Sequence, residues 1–172
     1  MSYSVRASGP KDREPILAVV REAFSNGGRD GSEEVAVAID TWSLDAGVPG
    51  LDLVAVDGAQ IVGHVLGAAG RLGDRPVVGV APLSVIPSRQ HEGIGTALMT
   101  ELLQWTERDG EPVVVLLGNP EYYRRFGFES GAPLGISYPP VGIDSPHFLV
   151  RRFVGYDSTI RGEYRYCWEL DR

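Results

Sequence analysis

The strongest constraint on the fold of this chain is a long apolar run that leads through a glycine-containing turn into an amphipathic segment. The run RPVVGVAPLSVIP (75–87) has the residue content of a strand, and the turn after it reads SRQHEGIG (88–95). Glycine lowers helix propensity, so glycines in the first turn of a helix indicate that another group must approach its backbone closely. The helix is predicted because apolar residues recur at helical spacing, at Ile94, Leu98, Leu102 and Trp105.

This turn also has the properties of an anion site. The first N–H groups of a helix lack partners within the helix, and the helix dipole places partial positive charge beside them. Gly93 and Gly95 carry no Cβ atoms that would keep a pyrophosphate away, and Thr96 adds a hydroxyl donor. A dinucleotide-binding motif would need a third glycine where Leu98 stands, and no Gly-Lys-Ser/Thr sequence follows for a phosphate loop. The predicted anion site is therefore neither a dinucleotide-binding motif nor a phosphate loop.

The remaining periodicity predicts a mixed sheet with helices on both of its faces. Six further strands are expected, at YSVRAS (3–8), LDLVAV (51–56), IVGHVLG (61–67), PVVVLL (112–117), FLVRRF (148–153) and YRYCWEL (164–170). Asp57 and Gly58 predict the turn of a hairpin between the second and third of these. Pro82 cannot donate a ladder hydrogen bond, so it predicts a bulge or an unpaired stretch within 75–87.

Three more helices are expected, each with a capping side chain, namely Asp12, Ser32 and Asn119. The apolar stripe of the first consists of Ile16, Val20 and Phe24, and that of the second consists of Val35, Ile39 and Trp42. The third is the short segment PEYYRRF (120–126). Residues 131–147 are rich in glycine and proline and are expected to form a long loop.

The composition is that of a single soluble domain over residues 1–172. A net charge of −7 and the lack of a basic stripe argue against nucleic-acid binding. The N-terminus has no apolar signal region and no apolar stretch reaches the ~20 residues of a membrane span, so a cytoplasmic location without membrane contact is expected. Cys167 is the only cysteine, which excludes a disulfide framework and a thiolate cluster, and no metal site is predicted.

The segment LSVIPSRQHEGIG (83–95) resembles the acyl-CoA-binding motif of the GCN5-related N-acetyltransferase (GNAT) superfamily, [QR]-x-x-G-x-[GA]. The positions that match are Gln90, Gly93 and Gly95. The upstream pattern L-x-V-x-P is met by Leu83, Val85 and Pro87. The downstream pattern Y-x-x-x-G-F is met by Tyr123, Gly127 and Phe128. The segment LLGNPEYYRRFGF resembles in particular a bacterial branch of this superfamily that carries the motif L-G-[DN]-P-x-Y-Y-x-R-F-G-F.

The resemblance implies a single-domain α/β (α+β) fold with a central mixed, mostly antiparallel sheet and helices on both faces. It also implies an acyl-CoA-dependent N-acyltransferase, with acetyl-CoA as cosubstrate and a primary amine as acceptor. A backbone N–H near Leu83 would stabilise the oxyanion, and Tyr123 would be the general acid that protonates the CoA thiolate. The residues implied in binding acetyl-CoA are Leu83, Ser84, Val85, Gln90, His91, Gly93, Ile94, Gly95, Thr96 and Asn119.

No general base can be assigned from the sequence. Some relatives carry a glutamate at the position of Gly79, so no carboxylate can be carried over. His64 is a candidate that would act through a water molecule, although a lone strand histidine is more often a packed residue. His91 is expected to shield phosphates. The resemblance places Glu33 and Glu34 where the family usually forms the acceptor wall, although solvated charges at a helix start are the favoured explanation.

Two alternatives stay open from the sequence alone. One is a non-catalytic module that senses acyl-CoA, which would explain the turn and the glycine at position 79 equally well. The other keeps the transfer reaction but uses a different acyl chain. The acceptor amine, on a small molecule or on a protein, is not encoded in any motif, and segment 131–147 is expected to cover part of its site. Exposed strands could pair between two copies of the chain, which makes a homodimer a further candidate partner.

Overall fold

The computed structural model describes residues 2–170, which contain four α-helices and nine β-strands. The helices are α1 (Arg13–Phe24), α2 (Ser32–Ser43), α3 (Ile94–Arg108) and α4 (Pro120–Tyr123). The strands are β1 (Ser4–Ala7), β2 (Gly47–Asp57), β3 (Gln60–Leu72), β4 (Arg75–Val85), β5 (Val113–Leu117), β6 (Glu129–Ser130), β7 (Ile136–Ser137), β8 (Phe148–Arg152) and β9 (Gly162–Tyr166). Among the described residues, no helix is both long and apolar enough to span a bilayer.

The strands are joined in one sheet in the order β1-β2-β3-β4-β5-β8-β6, with β9 paired to β3 and β7 paired to β9. The register is antiparallel for β1–β2, β3–β9, β5–β8 and β6–β8. It is parallel for β4–β5 and β7–β9. The prediction of a mixed, mostly antiparallel sheet is confirmed.

The chain forms two compact units. The first comprises the residues up to Gly67 together with Ala81–Leu102, and the second comprises Ala68–Val80 together with the residues from Leu103 onward. Strands β3 and β4 and helix α3 contribute residues to both units. The single domain over residues 1–172 stays a prediction.

In the first unit, helices pack on both faces of β3. At Gly63 an added Cβ atom would lie 2.8 Å from Ile94 Cγ2 and 3.0 Å from Leu98 Cδ1, so α3 lies directly against this glycine. His64 points to the opposite face, because side chains alternate along a strand. There its ring centroid lies 6.3 Å from that of Trp42 in α2. The predicted arrangement of helices on both faces is confirmed in this unit.

Two predicted apolar stripes need correction. The buried residues of α2 are Val35, Ala38 and Thr41, whereas Ile39 is 42% exposed. The face that packs is therefore shifted by one residue from the predicted one, because a small alanine and a threonine can also be buried. In α3 the three predicted apolar residues from Ile94 to Leu102 are buried, but Trp105 is 40% exposed.

The two predicted helix caps in the first unit also differ in detail. Asp12 precedes α1 as expected, but its carboxylate accepts a hydrogen bond from Gly9 N at 2.8 Å and not from the first turn of the helix. Ser32 is the first residue of α2 and not its cap. The capping position is taken by Gly31 at φ 70°, and the carboxylate of Asp30 accepts from Ser32 N at 3.0 Å.

An aromatic core organises the second unit. Adjacent ring centroids within it lie 4.8 to 5.9 Å apart, and its members are Tyr138, Phe148, Tyr164 and Tyr166. Within the predicted loop 131–147, Ile136 is fully buried and belongs to β7, which pairs with β9. Glycines and prolines mark the turns around this short strand, so the prediction of an unbroken loop is wrong.

The last predicted strand, 164–170, is shorter than its alternating pattern suggested. Strand β9 ends at Tyr166 and is followed by a 3₁₀ turn, Cys167–Glu169. The backbone N–H of Tyr166 donates to Glu169 Oε2 at 2.8 Å, so a side chain and not a neighbouring strand satisfies it. The indole of Trp168 stacks on the Tyr166 ring at 4.4 Å between centroids. A local side-chain bond therefore ends this strand.

Candidate active site

The glycine-containing turn is fixed to the end of β4. The side-chain amide of Gln90 donates to the carbonyl of Val85 at 3.1 Å. Gly93 has φ 83°, a left-handed conformation that L side chains rarely adopt, and its carbonyl accepts the amide of Ala97 at 2.9 Å. The three amides between these two residues belong to the first turn, where a helix leaves its N–H groups unpaired. The predicted turn and helix start are confirmed.

Gly93 is required by its backbone conformation more than by crowding. An added Cβ atom there would lie 3.7 Å from the hydroxyl of Tyr3, which is an ordinary contact. His91 also has a positive φ, 65°, and its side chain is exposed, as is the hydroxyl-bearing side chain of Thr96. Two exposed polar side chains thus belong to the same turn as the unpaired amides.

An arginine that the sequence reasoning did not single out fastens this turn to the β2–β3 hairpin. Arg89 Nη1 donates to Asp57 Oδ2 and Arg89 Nε donates to Glu92 Oε2, both at 2.7 Å. The bond to Glu92, followed by that to Asp57, raises the pKa of Arg89. Its Nη2 atom is buried without a hydrogen-bond partner among the described residues. No spacing pattern in the sequence could have identified this contact.

The pairing of β4 with β5 ends just before the predicted oxyanion site. The register pairs Val78 with Val114 and ends at Val80 and Leu116. Pro82 follows two residues later, so the predicted interruption of pairing is confirmed on this side of the strand.

The predicted cosubstrate-binding residues of β4 alternate in burial. Leu83 and Val85 are half-buried, whereas Ser84 is buried and its hydroxyl donates to the carbonyl of His64 at 3.5 Å. The side chain of Ser84 is therefore occupied with β3. Only its backbone groups remain for the role that the sequence assigned to it.

A buried polar cluster lies on the other side of β3. His64 is 0% exposed, and its Nε2 atom lies 2.9 Å from Asp52 Oδ1 in β2. Trp42 Nε1 donates to the second carboxylate oxygen, Asp52 Oδ2, at 2.9 Å. Burial pushes the pKa of Asp52 upward, but hydrogen bonds and charge from His64, with further hydrogen bonds from Ser8 and Trp42, bring it below its ordinary value. Asp52 was missed from the sequence, although it is the one charge within the apolar run 51–56.

Tyr123, the predicted general acid, lies in the second unit at the end of α4. Its ring packs edge-on against Tyr122 at 4.9 Å and against Phe128 at 5.8 Å between centroids. A Cβ atom at Gly118 would approach Tyr123 Cδ2 to 2.9 Å, so the glycine makes room for the ring. Burial, followed by the nearby Tyr122, raises the pKa of Tyr123 above its ordinary value. The phenol therefore stays protonated at neutral pH and can donate.

Asn119 caps the helix that carries Tyr123. Its side-chain oxygen accepts from Glu121 N at 3.0 Å, and its backbone carbonyl accepts from Tyr123 N at 3.1 Å. The predicted cap is confirmed. Its role toward pantetheine stays a prediction.

Side chains of β9 fill the space beside Gly79, the position that lacks a carboxylate. The hydroxyl of Tyr164 lies so close to Gly79 that it would overlap with a Cβ atom there, and Tyr166 Cε1 would be 2.7 Å from that atom. The Tyr164 hydroxyl is buried without a hydrogen-bond partner among the described residues. Burial raises the pKa of Tyr164 well above its ordinary value, so it is a neutral phenol.

The remaining acidic candidates have partners at the surface. Glu33 and Glu34 both contact Arg29 at the start of α2, and the Glu33 side chain is 87% exposed. Glu33 is a solvated helix-end charge, as expected. The prediction is wrong for Glu34, because its side chain is 17% exposed and its Oε2 atom is buried without a hydrogen-bond partner among the described residues. Within residues 2–170 no group of three or more His, Cys, Asp or Glu side chains is arranged to hold a metal ion.

The comparisons with known proteins all indicate the same family. The family model described as an acetyltransferase (GNAT) domain matches residues 51–130. The uncharacterized N-acetyltransferase YhbS of Escherichia coli K12 is 33% identical over 133 residues, which cover 74% of each chain. The uncharacterized N-acetyltransferase YjhQ of the same strain is 29% identical over 177 residues, covering 98% of this chain and 94% of the relative.

Two solved structures share the fold over nearly the whole chain. One is a GNAT family acetyltransferase from Brucella melitensis in complex with acetyl-CoA, with a TM-score of 0.78, 28% identity and 96% coverage of both chains. The other is YhbS from Escherichia coli in complex with CoA, with a TM-score of 0.85, 27% identity and coverage of 99% of this chain and 92% of the neighbour.

Proposed function

Because this chain belongs to the GNAT acetyltransferase family, we propose that it transfers the acetyl group of acetyl-CoA to a primary amine. The observation that carries the proposal is the fixed turn before α3. Gln90 holds it against Val85, and Gly93 gives it a left-handed bend that opens the first helical amides. Such amides, with the positive end of the helix dipole, suit the pyrophosphate of CoA.

In the first unit the cosubstrate would bind to the turn and to the end of β4, and Asn119 stays a predicted contact of the pantetheine arm. The amides of Gly93, Ile94, Gly95 and Thr96 would bind the pyrophosphate, with Gln90 and the exposed His91 beside it. The backbone of Leu83, Ser84 and Val85 would pair with the pantetheine arm as an added strand does. The end of β4–β5 pairing at Val80 supports this role, because β4 is not paired with β5 beyond this residue.

In the proposed reaction the amine nitrogen attacks the thioester carbonyl carbon, forming the C–N bond. The backbone N–H of Leu83 donates to the oxyanion that develops on the carbonyl oxygen. Collapse of the tetrahedral intermediate breaks the C–S bond, and Tyr123 donates its proton to the departing thiolate. The raised pKa of Tyr123 supports this role, since the phenol is fully protonated at neutral pH.

Calorimetry and a turnover assay test the proposal in two steps. Titration with acetyl-CoA and with CoA should show saturable binding, and incubation with a panel of primary amines should release free CoA in an amine-dependent way. Binding without amine-dependent release would instead support a module that senses acyl-CoA. No binding of CoA in any form would contradict both functions.

A further inference from the structure

We propose that the Asp52–His64 pair is the proton acceptor of the reaction, an assignment that rests on the function proposed above. His64 would take the proton of the attacking amine on its second ring nitrogen, through one bridging water molecule. The pair would thus supply the base for which position 79 has no carboxylate.

The carboxylate of Asp52 is held as an orienting group. It contacts His64 Nε2 through Oδ1 and accepts the indole N–H of Trp42 through Oδ2, both at 2.9 Å. A carboxylate that accepts a hydrogen bond from a second group and is bonded to one nitrogen of a histidine sets the ring orientation and its tautomer.

The second ring nitrogen of His64, Nδ1, is available to accept a proton. In the neutral ring, a hydrogen on Nε2 that points to Asp52 leaves the lone pair on Nδ1. That Nδ1 atom is buried and has no hydrogen-bond partner among the described residues. A buried acceptor without a partner is unfavourable, so a water molecule or a substrate N–H would satisfy it.

The position of His64 suits this role within the first unit. Its backbone carbonyl accepts the hydroxyl of Ser84, and the amide of Ile86 donates to Val62 O at 3.1 Å, so β3 and β4 run side by side here. Ser84 follows Leu83, whose N–H is the proposed oxyanion donor. The histidine therefore lies one strand away from the proposed thioester position.

Asp52 in β2 is the charged group that contacts the His64 ring, whereas Trp42 and Ser84 are neutral. The guanidinium of Arg13 on α1 lies on the indole of Trp42, with its carbon 5.3 Å from the ring centroid. The proton leaves the amine nitrogen for the water as a water proton passes to Nδ1, and the imidazolium later returns it to solvent.

Two measurements test the assignment. Long-range ¹H–¹⁵N NMR of the whole protein should find the neutral His64 ring protonated on Nε2; a proton on Nδ1 would overturn the proposal. With a confirmed amine, His64→Gln should lower kcat about 100-fold or more at pH 7 while the Kd for acetyl-CoA stays within about twofold. The variant's rate should then rise about tenfold per pH unit toward pH 9, because an amine of pKa ~10 must lose its proton in solution.

A matched control and a second variant keep the result interpretable. Asp109→Asn changes an exposed aspartate after α3 and should leave the rate and pH profile unchanged. Asp52→Asn should shift the pH profile in the same direction as His64→Gln, which provides a test if the latter does not fold. A wild-type protein that turns over amines, with an unchanged profile in His64→Gln, would overturn only this assignment. A wild-type protein that binds no acetyl-CoA would overturn the proposed function itself.

Discussion

The hydroxyl of Tyr164 packs so closely on Gly79 that a Cβ atom at position 79 would overlap with it. The two residues lie on β9 and β4, and the Tyr164 ring also packs edge-on against Tyr166 at 4.8 Å between centroids. The two residues therefore depend on each other: the glycine at position 79 leaves the space that the tyrosine at position 164 fills.

This relationship predicts a coupled pair of substitutions. Gly79→Ala should lower the free energy of unfolding by about 1–3 kcal/mol, because the new methyl group overlaps with the phenol. Tyr164→Phe removes the overlapping oxygen, so the double variant should lose less than the sum of the single losses, by about 1 kcal/mol. Urea unfolding of the four proteins measures the coupling. As a control, Gly155→Ala should change the free energy of unfolding little, because its Cβ atom would lie 3.8 Å from Pro112. If the losses of stability at positions 79 and 164 are additive, the described overlap is contradicted.

Gly93 should be needed for both stability and cosubstrate affinity. Gly93→Ala places a side chain at φ 83°, which costs about 1–2 kcal/mol. The displaced amides should also raise the Kd for acetyl-CoA about tenfold. Gly28→Ala is the matched control, because Gly28 has φ 88° and open space around it. It should lose similar stability in urea unfolding but keep its affinity in calorimetry; an equal loss of affinity in both variants would contradict a specific role of the turn.

Tyr123→Phe should slow turnover by about 100-fold or more without weakening acetyl-CoA binding, because the thiolate then leaves without a proton donor. The raised pKa of Tyr123 implies that the wild-type rate shows no titration of this phenol between pH 6 and pH 9. Steady-state kinetics over that range provide the measurement. Tyr122→Phe keeps the neighbouring ring and should retain activity, and a full rate in Tyr123→Phe would remove the tyrosine from the mechanism.

The stability of the protein should depend on Asp52 in a pH-dependent way. Its pKa is lower in the folded chain than the ordinary value of about 3.9. The contribution to stability is therefore complete above pH ~5 and disappears as the pH falls through the folded-state pKa. Asp52→Asn should cost about 1–3 kcal/mol at pH 7 in urea unfolding, and this difference should shrink toward pH 3. Asp144→Asn changes an exposed aspartate and serves as the control. A difference between wild type and Asp52→Asn that grows in acid would contradict the sign.

The sequence by itself determined the elements whose cause is local. Helical spacing identified the buried residues of α3 up to Leu102, and the Asp57-Gly58 pair identified the β2–β3 hairpin. The cap at Asn119 and the bend at Gly93 were predictable for the same reason. Each depends on backbone hydrogen bonds and φ angles within a few residues, which residue type and spacing encode directly.

The tertiary structure decided the contacts between distant segments. In the folded chain Asp52 contacts His64, Arg89 links the turn to Asp57, and Tyr164 packs on Gly79. These pairs depend on strand order and register, and a shift of one residue would turn each side chain to the opposite face of the sheet. The proton-handling groups of the candidate site are of this second kind, whereas the anion-binding turn is of the first.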